Sequence, residues 1–329
     1  MTKYDRRLNI PMGFVSTIKV LCQRHGVHPR RWFTGFVSYP RYLGYIRPHL
    51  LNATEEEFRV RRQLLAQAWE PRALVAPVGK RLLALCPHPD DESIGAGGLL
   101  LAHRNIAEIH LVCLCTGEGG GSIAGADADP ETTKRKLVET RKAEFAKTAE
   151  ALGAVSIRHL DFPDGGIPCS TEAVEKLRSI MDEIRPDVVL LPWLLDNHVD
   201  HRRANVLYSW ACADLEAAVL GYETWSLLEP NAVFDITAHL PGKLALIQNY
   251  ASQLRTVDYA SYASALARVR AHHAALHPLR AGAAEAYVAL PNREYCELVH
   301  ALYGVRGNVR ANTAASLGLA GPEALTVMK

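Results

Sequence analysis

Residues 81–101 read RLLALCPHPDDESIGAGGLLL and combine a short apolar run, a Pro-His-Pro segment, three consecutive acids and a glycine-rich apolar run. This order predicts a buried strand that leads directly into a helix, with Asp90, Asp91 and Glu92 at the junction. Adjacent carboxylates repel one another, and their burial is unfavourable by several kcal/mol unless positive charge lies nearby. A helix N-terminus offsets only about 0.3–1 kcal/mol per charge. We therefore expect a stronger positive group at this junction.

Short apolar runs alternate with amphipathic helical periodicity through the middle of the chain. Runs rich in Val, Leu and Ile, separated by such helices, are typical of a parallel sheet covered by helices on both faces. The sequence therefore predicts a three-layer, Rossmann-like α/β fold with a mostly parallel sheet. The predicted strands are 81–86, 109–115, 156–161, 187–193 and part of 231–240, and the predicted helices are 92–104, 131–152, 172–185, 201–216 and most of 241–275.

Bulk properties are those of an ordinary globular protein. Of 329 residues, 48% are hydrophobic and 22% charged, and the net charge of +2 does not indicate nucleic acid as a partner. The cysteines form no C-x-x-C pair, and the sequence contains neither a secretory signal nor an apolar run of transmembrane length. We expect a cytoplasmic protein without disulfides or a transmembrane segment; the oligomeric state stays open.

The first 50 residues are strongly basic, with a single acid, Asp5, and a cluster of aromatic residues between Trp32 and Tyr45. Basic residues interleaved with aromatics can bind a membrane surface or an anionic partner, although a solvated arm that packs on the main domain is the simpler interpretation. We expect a basic, aromatic N-terminal extension that acts as a lid or arm, and a flexible tail. The predicted boundaries are 1–75 for the extension, 76–305 for the main domain and 306–329 for the tail.

Each of the four central strands is followed by a polar loop, and the loops read PHPDDE, TGEGGG, DFPDGG and DNHVDH. Ligands of open parallel sheets bind outside the carboxyl ends of the strands, so these loops are expected to form one site. No Lys-Ser/Thr follows TGEGGG, which excludes a Walker phosphate loop, and no G-x-G-x-x-G indicates a dinucleotide. The glycines at 95, 97 and 98 are expected to let helix and strand pack closely.

Two pairs of residues in these loops have the spacing of metal ligands. His88 and Asp91 are three residues apart, as are His198 and His201. Either pair alone would more often be a capped helix or a polar surface patch. Together, each after an apolar strand, they predict a site of two histidines and one carboxylate, which suits catalytic zinc or non-haem iron.

The remaining acids and imidazoles of these loops suit hydrolysis. Asp90 is placed to accept a proton from a metal-activated water, and His198 to polarise a carbonyl or protonate a leaving nitrogen. Asp200 is placed to orient an imidazole. This set predicts metal-assisted hydrolysis of an amide.

These motifs resemble those of the PIG-L/LmbE-like family of zinc-dependent N-acetyl sugar de-N-acetylases. PHPDDE at 87–92 and HVDH at 198–201 carry the resemblance, which extends over about 80–300, although Val199 stands where the family commonly has proline. The further matching segments, in family order, are TGEGG at 116–120, TRKAEFAKTAEALGA at 140–154, FPDGGI at 162–167, RPDVVLLPW at 185–193 and KLALIQNYASQL at 243–254.

The resemblance implies a role for each matching residue. It implies that His88, Asp91 and His201 bind the metal and that Asp90 is the general base. His198 matches the electrophilic or acid histidine, Asp200 the acid that supports the histidine pair, and Arg141 and Asp164 match positions that contact the sugar. From the residues alone, Arg141 could equally form a salt bridge on a helix surface, and Asp164 could be a turn residue before two glycines.

The sequence thus predicts a hydrolase that uses Zn²⁺, with Fe²⁺ as the alternative, to remove an N-acetyl group from an acetamido sugar. The expected substrate is an N-acetylglucosamine-like sugar within a conjugate. The basic N-terminus adds the hypotheses that this conjugate is lipid-linked and that the protein lies at the inner face of a membrane. One alternative is an amidase that cleaves a different amide, as in a thiol-sugar conjugate, and another is a sugar-binding module without catalysis. Acetate release and metal content distinguish these alternatives.

Overall fold

The computed structural model describes residues 71–123, 129–273 and 282–303, together with two short strands near the N-terminus. The chain divides into two units, residues 1–58 and 59–329. In the first unit, β1 (Tyr4–Asp5) pairs antiparallel with β2 (Ile10–Pro11). The predicted tail and the rest of the predicted extension up to residue 70 lie outside the described residues.

The second unit contains a sheet of eight strands. The strands are β3 (Arg72–Leu74), β4 (Arg81–Cys86), β5 (Glu108–Cys115), β6 (Ser156–Phe162), β7 (Val188–Pro192), β8 (Ala218–Tyr222), β9 (Ala232–Asp235) and β10 (Ala284–Pro291). Their order in the sheet is β3-β9-β10-β8-β7-β4-β5-β6. β4 through β8 are mutually parallel, whereas β10 runs antiparallel to both of its neighbours and β3 parallel to β9.

Helices cover both faces of this sheet. The helices are α1 (Asp91–His103), α2 (Pro130–Leu152), α3 (Thr171–Ile184), α4 (Val199–Ala211), α5 (Leu240–Gln248), α6 (Ala251–Leu254), α7 (Tyr259–His273) and α8 (Asn292–Leu302). Alternate residues of β4 enter two separate cores: Leu83 and Leu85 pack with helices α3, α4 and α8, and Leu82 and Ala84 with α1, α2, α5 and α7. The predicted three-layer α/β fold with a mostly parallel sheet is confirmed.

The order of the strands reverses direction at β4. The chain first moves from β4 outward to β5 and β6, and then crosses to the other side of β4 for β7 and β8. β4 and β7 are neighbours, but the chain continues from β4 toward one edge strand of the sheet and from β7 toward the other. Such a topological switch point forms a crevice at the carboxyl edge of the sheet.

The predicted elements differ from the observed ones mainly after β7. The helix predicted to reach residue 216 ends at Ala211, and β8 follows it. The stretch 241–275, predicted to be largely helical, contains three helices. The first break is at Tyr250, which leaves helical geometry (φ −88°, ψ 57°) and donates its hydroxyl to Glu92, 2.5 Å away. β3, β10 and α8 were not predicted. The two strands depend on distant strands for pairing, and α8 depends on the core in which its apolar residues pack.

Within the described ranges, no helix combines the length and the apolar character that crossing a membrane requires.

The glycines of α1 allow close packing, as predicted. A Cβ at Gly95 would lie 2.1 Å from the Tyr222 ring, and one at Gly98 would lie 2.4 Å from Ile236. The Tyr222 hydroxyl donates to the Leu85 carbonyl at 3.1 Å, which fixes the ring under the helix. The start of α1 is thereby held directly against the sheet.

Replacing Gly95 with alanine is expected to lower the free energy of unfolding by about 1–3 kcal/mol, because the new methyl group overlaps a fixed aromatic ring. Gly97→Ala is the matched control, since its Cβ would lie 3.3 Å from the Lys243 side chain. There the gain in helix propensity, about 0.8–1.0 kcal/mol, offsets the tighter contact. Urea unfolding measures both variants, and equal destabilisation would contradict this account.

Candidate active site

A pocket lies at the carboxyl edge of the sheet, at the switch point. Its lining includes His88 from the loop after β4, Gly119 from the loop after β5, Asp164 from the loop after β6 and His198 from the loop after β7. The four polar loops converge as the sequence predicted. All eight predicted site residues lie in or directly around this pocket.

The turn between β4 and α1 is strained at Asp90. This residue caps α1, and its carbonyl accepts the N–H groups of Ser93 and Ile94 at 3.0 Å. Its φ is 141° and its ψ −25°, in a region where side chains other than glycine are rare. Such a conformation costs about 1–3 kcal/mol and persists where the surroundings fix it. In this backbone conformation the two carboxylates point in different directions, that of Asp90 toward Arg141 and that of Asp91 toward His88 and His201.

The Asp91 carboxylate lies between two imidazoles. Its Oδ2 is 3.4 Å from His88 Nδ1, and its Oδ1 is 3.3 Å from His201 Nε2. Burial alone would raise the pKa of Asp91, but the charges and hydrogen bonds of His201 and His88 hold it well below the usual range. Asp91 therefore stays ionised and can hold positive charge between the two rings.

His201 is oriented as a metal ligand. Its Nδ1 lies 3.0 Å from the Thr224 hydroxyl and 3.3 Å from Asp196 Oδ1. Its Nε2 is buried and faces Asp91 Oδ1 at 3.3 Å, but the angles do not make this contact a hydrogen bond. Burial lowers the pKa of His201, but Asp91 and Asp196 raise it to about 9. An imidazole with one nitrogen bound to a carboxylate and the other free is the usual arrangement around a metal ion.

Within the described residues, two groups of possible metal ligands have donor atoms within 4.8 Å of one another. One is His88, His198 and His201, and the other is His88, Cys115 and Asp200. Burial raises the pKa of Cys115, which disfavours the thiolate that a metal requires. The predicted set of His88, Asp91 and His201 is neither of these groups, and its assignment stays a prediction. The unpartnered His201 nitrogen beside Asp91 is the feature that fits it.

Asp90 is held by a buried arginine. One Arg141 nitrogen donates to Asp90 Oδ2 at 3.2 Å and to the Pro89 carbonyl at 2.8 Å, and the other donates to the Gly117 carbonyl at 2.6 Å. Arg141 is only 2% exposed, so it is not part of a helix-surface salt bridge. Burial raises the pKa of Asp90 to about 7, although Arg141 opposes this shift. Asp90 is therefore poised to gain or lose a proton near neutral pH.

His198 faces the pocket in a defined tautomer. Its Nδ1 accepts the N–H of Asp200 at 3.2 Å, so the proton of the neutral ring is on Nε2. Burial, together with the nearby His88 and His201, lowers the pKa of His198 to about 4. A neutral ring with a free N–H is suited to donate a hydrogen bond to a substrate oxygen.

Asp200 and Asp164 both support His88. Asp200 Oδ2 is 3.2 Å from His88 Nε2, and its carboxylate also accepts N–H groups from Gly165 and Ile167. Asp164 Oδ1 is 3.4 Å from the same nitrogen, and its Oδ2 accepts the N–H of Gly119. Asp200 thus contacts His88 through its side chain and His198 through its backbone.

Asp196 also belongs to the site, although its role was not predicted. This residue is 1% exposed, and its carboxylate accepts the N–H groups of His198, Trp225 and Ser226 at 2.8–3.1 Å. It thereby joins the loop that carries the histidines to the loop after β8. The sequence does contain a signal for this role, because Asp196 is an acid at the end of an apolar strand and lies two residues before His198.

The residues from 83 to 212 match the family model described as PIG-L: GlcNAc-PI de-N-acetylase. This segment contains every residue assigned above to the site except those of the loop after β8. We refer to residues 83–212, which match this model, as the PIG-L domain. The resemblance read from the sequence motifs is confirmed.

Named relatives of the PIG-L domain are deacetylases. Diacetylchitobiose deacetylase of Thermococcus kodakarensis is 35% identical over 133 residues, which are 39% of this chain and 47% of that protein, so the chain spans about half of its length. A probable N-acetyl-alpha-D-glucosaminyl L-malate deacetylase 2 of Bacillus anthracis is 25% identical over 198 residues, 54% of this chain and 83% of that protein.

A solved structure supports the fold. N,N'-diacetylchitobiose deacetylase of Pyrococcus horikoshii aligns over 74% of this chain and 95% of its own, with a TM-score of 0.55 and 23% identity. The alignment extends beyond the PIG-L domain. At this identity it shows a shared architecture, whereas the chemistry must be argued from the site.

Asp91→Asn is expected to bind much less Zn²⁺ than the unmodified protein, and His198→Asn to bind as much, if the predicted ligand set is correct. The reason is that Asp91 supplies an anionic oxygen between His88 and His201, whereas His198 serves the substrate. Elemental analysis of both purified variants, followed by Zn²⁺ titration, measures the difference. Metal loss in His198→Asn with retention in Asp91→Asn would assign the third ligand to His198.

Asp196→Asn is expected to weaken metal affinity by about 10–100-fold, because the neutral amide no longer holds the Nδ1 proton of His201. Competition with a chromogenic chelator gives the dissociation constant. An unchanged constant would show that Asp196 only fastens the neighbouring loop.

Proposed function

We propose that this protein is a metal-dependent hydrolase that removes the N-acetyl group from an acetamido sugar within a conjugate. The main support for this proposal is the set of groups around one pocket. They are a buried carboxylate between two imidazoles, a second carboxylate held by an arginine, and a third imidazole with a free N–H. The named relatives, which act on N-acetylated sugars according to their names, support the substrate class.

The donors in the pocket suit a borderline divalent cation. His88, Asp91 and His201 would hold it, and their two nitrogens and one oxygen favour Zn²⁺, with Fe²⁺ as the alternative. When bound, the cation would supply a Lewis acid that acidifies a water and polarises the acetyl carbonyl.

Asp90 acts as the general base in this proposal. Its carboxylate takes one proton from the attacking water while the water oxygen bonds to the acetyl carbon. Arg141 keeps the carboxylate in place through its hydrogen bond to Oδ2. The C–N bond then breaks, the sugar nitrogen takes the proton from Asp90, and the products are acetate and the free amine.

His198 stabilises the negative charge that develops on the acetyl oxygen. Its Nδ1 is occupied by the Asp200 N–H, so Nε2–H is the donor available to the substrate. Removal of a single donor of this kind typically lowers kcat by about 10²–10³. Because the ring is held neutral, Asp90 rather than His198 carries the proton to the leaving nitrogen.

Asp90→Asn is expected to keep its metal and lower kcat by about 10²–10⁴, because the amide cannot accept a proton. Acetate release from a panel of N-acetylglucosamine conjugates measures the rate, and elemental analysis confirms the metal. Asp182→Asn, an exposed carboxylate on α3, is the matched control and should match the unmodified protein.

Near-normal turnover by metal-loaded Asp90→Asn would remove Asp90 from the role of base. Amide cleavage by the unmodified protein without acetate release would replace the de-N-acetylase with an amidase of different bond specificity.

A further inference from the structure

The pocket is charged at its floor and aromatic at its mouth. The floor carries Asp90, Asp91 and Arg141, all nearly inaccessible to solvent. Trp225 and Tyr259 line the same pocket, and Trp225 is 45% exposed. A substrate group bound on the floor therefore shares the pocket with an exposed indole ring.

The Trp225 ring is held in place by contacts with two other rings. It stacks on His198 with ring centroids 6.3 Å apart and an interplanar angle of 24°. Tyr259 meets it edge to face at 5.9 Å. The ring therefore presents a surface next to the imidazole that we assign to the reaction.

The backbone beneath Trp225 is fixed as well. Its N–H donates to Asp196 at 3.1 Å, and the Tyr262 hydroxyl on α7 donates to the Thr224 carbonyl at 2.8 Å. The loop closes on itself where the N–H of Leu228 donates to Glu223 at 2.9 Å. A surface ordered before binding loses little conformational entropy when a ligand arrives.

The neighbouring exposed side chains are also apolar. Leu227, two residues after Trp225, is 63% exposed, and Tyr262 is 36% exposed. The polar groups that would recognise an acetamido sugar all lie deeper, so this surface faces whatever the sugar is attached to. These exposed side chains fit a flat or extended apolar group.

We propose that Trp225 is a specificity-determining residue that binds an apolar group, aryl or alkyl, attached to the acetamido sugar. This inference rests on the proposed function and narrows its substrate to conjugates with an apolar aglycone. Stacking of an aromatic group on indole is expected to raise kcat/KM by about tenfold over a methyl aglycone, mainly through KM.

Three glycosides of N-acetylglucosamine test the proposal: methyl, 4-nitrophenyl and octyl. For each, kcat and KM are measured by acetate release, and affinity is measured by calorimetry in the Asp90→Asn background. The unmodified protein should prefer one or both apolar glycosides over the methyl glycoside by about tenfold. Preference for only 4-nitrophenyl identifies an aryl aglycone, and preference for only octyl identifies an alkyl chain.

Trp225→Ala should reduce this preference to less than about threefold, in kcat/KM and in affinity, whereas Trp225→Phe should retain most of it. Ile106→Ala is the matched control, because Ile106 is 55% exposed but lies before β5, at the opposite edge of the sheet. It should leave the preference unchanged.

Two results would overturn the inference while leaving the proposed function intact. One is acetate release from all three glycosides with equal kcat/KM. The other is an equal loss for all three in Trp225→Ala, which would mean that the indole binds the sugar ring itself. Failure to release acetate from any acetamido sugar would instead contradict the proposed function.

Discussion

The burial of three consecutive carboxylates at the end of the central strand is the constraint on which the domain depends. Each carboxylate is satisfied from a different part of the chain. Asp91 contacts an imidazole of α4, Asp90 contacts Arg141 of α2, and Glu92 accepts the hydroxyl of Tyr250 between α5 and α6. A buried charge left without its partner is destabilising by about 3–5 kcal/mol, so the positions of these helices and the electrostatics of the pocket are set together.

Two further buried ion pairs anchor the elements behind the pocket. Lys243 of α5 lies 2.6 Å from Glu285 of β10, and Glu285 also accepts the N–H groups of Gly98 and Leu99 in α1. Arg270 of α7 pairs with Glu223 at the base of the Trp225 loop. The antiparallel strand β10 and the C-terminal helices thus support the loops of the parallel half, and the helices also contribute Gln253 and Tyr259 to the pocket lining.

Local patterns were sufficient to predict the first half of the fold and most of the site. The parallel strands have apolar runs flanked by polar loops, and the topology rule places those loops at one edge. What was missed depends on contacts between distant residues. The role of Asp196 requires the loop after β8, and the burial of Arg141 requires the turn before α1, about fifty residues earlier. The role of Glu92 likewise requires Tyr250, 158 residues later, which donates its hydroxyl to it.

The positive φ of Asp90 has a consequence for how this protein can change over evolution. Glycine adopts this backbone conformation without strain, so its substitution at position 90 would relax the turn and delete the carboxylate in one step. The same substitution would, however, leave the buried Arg141 guanidinium without its ion-pair partner, which costs about 3–5 kcal/mol, more than the ~1–3 kcal/mol of backbone strain. Arg141 thus makes the strained aspartate the more stable residue at position 90, so relaxing this turn would require loss of the arginine as well.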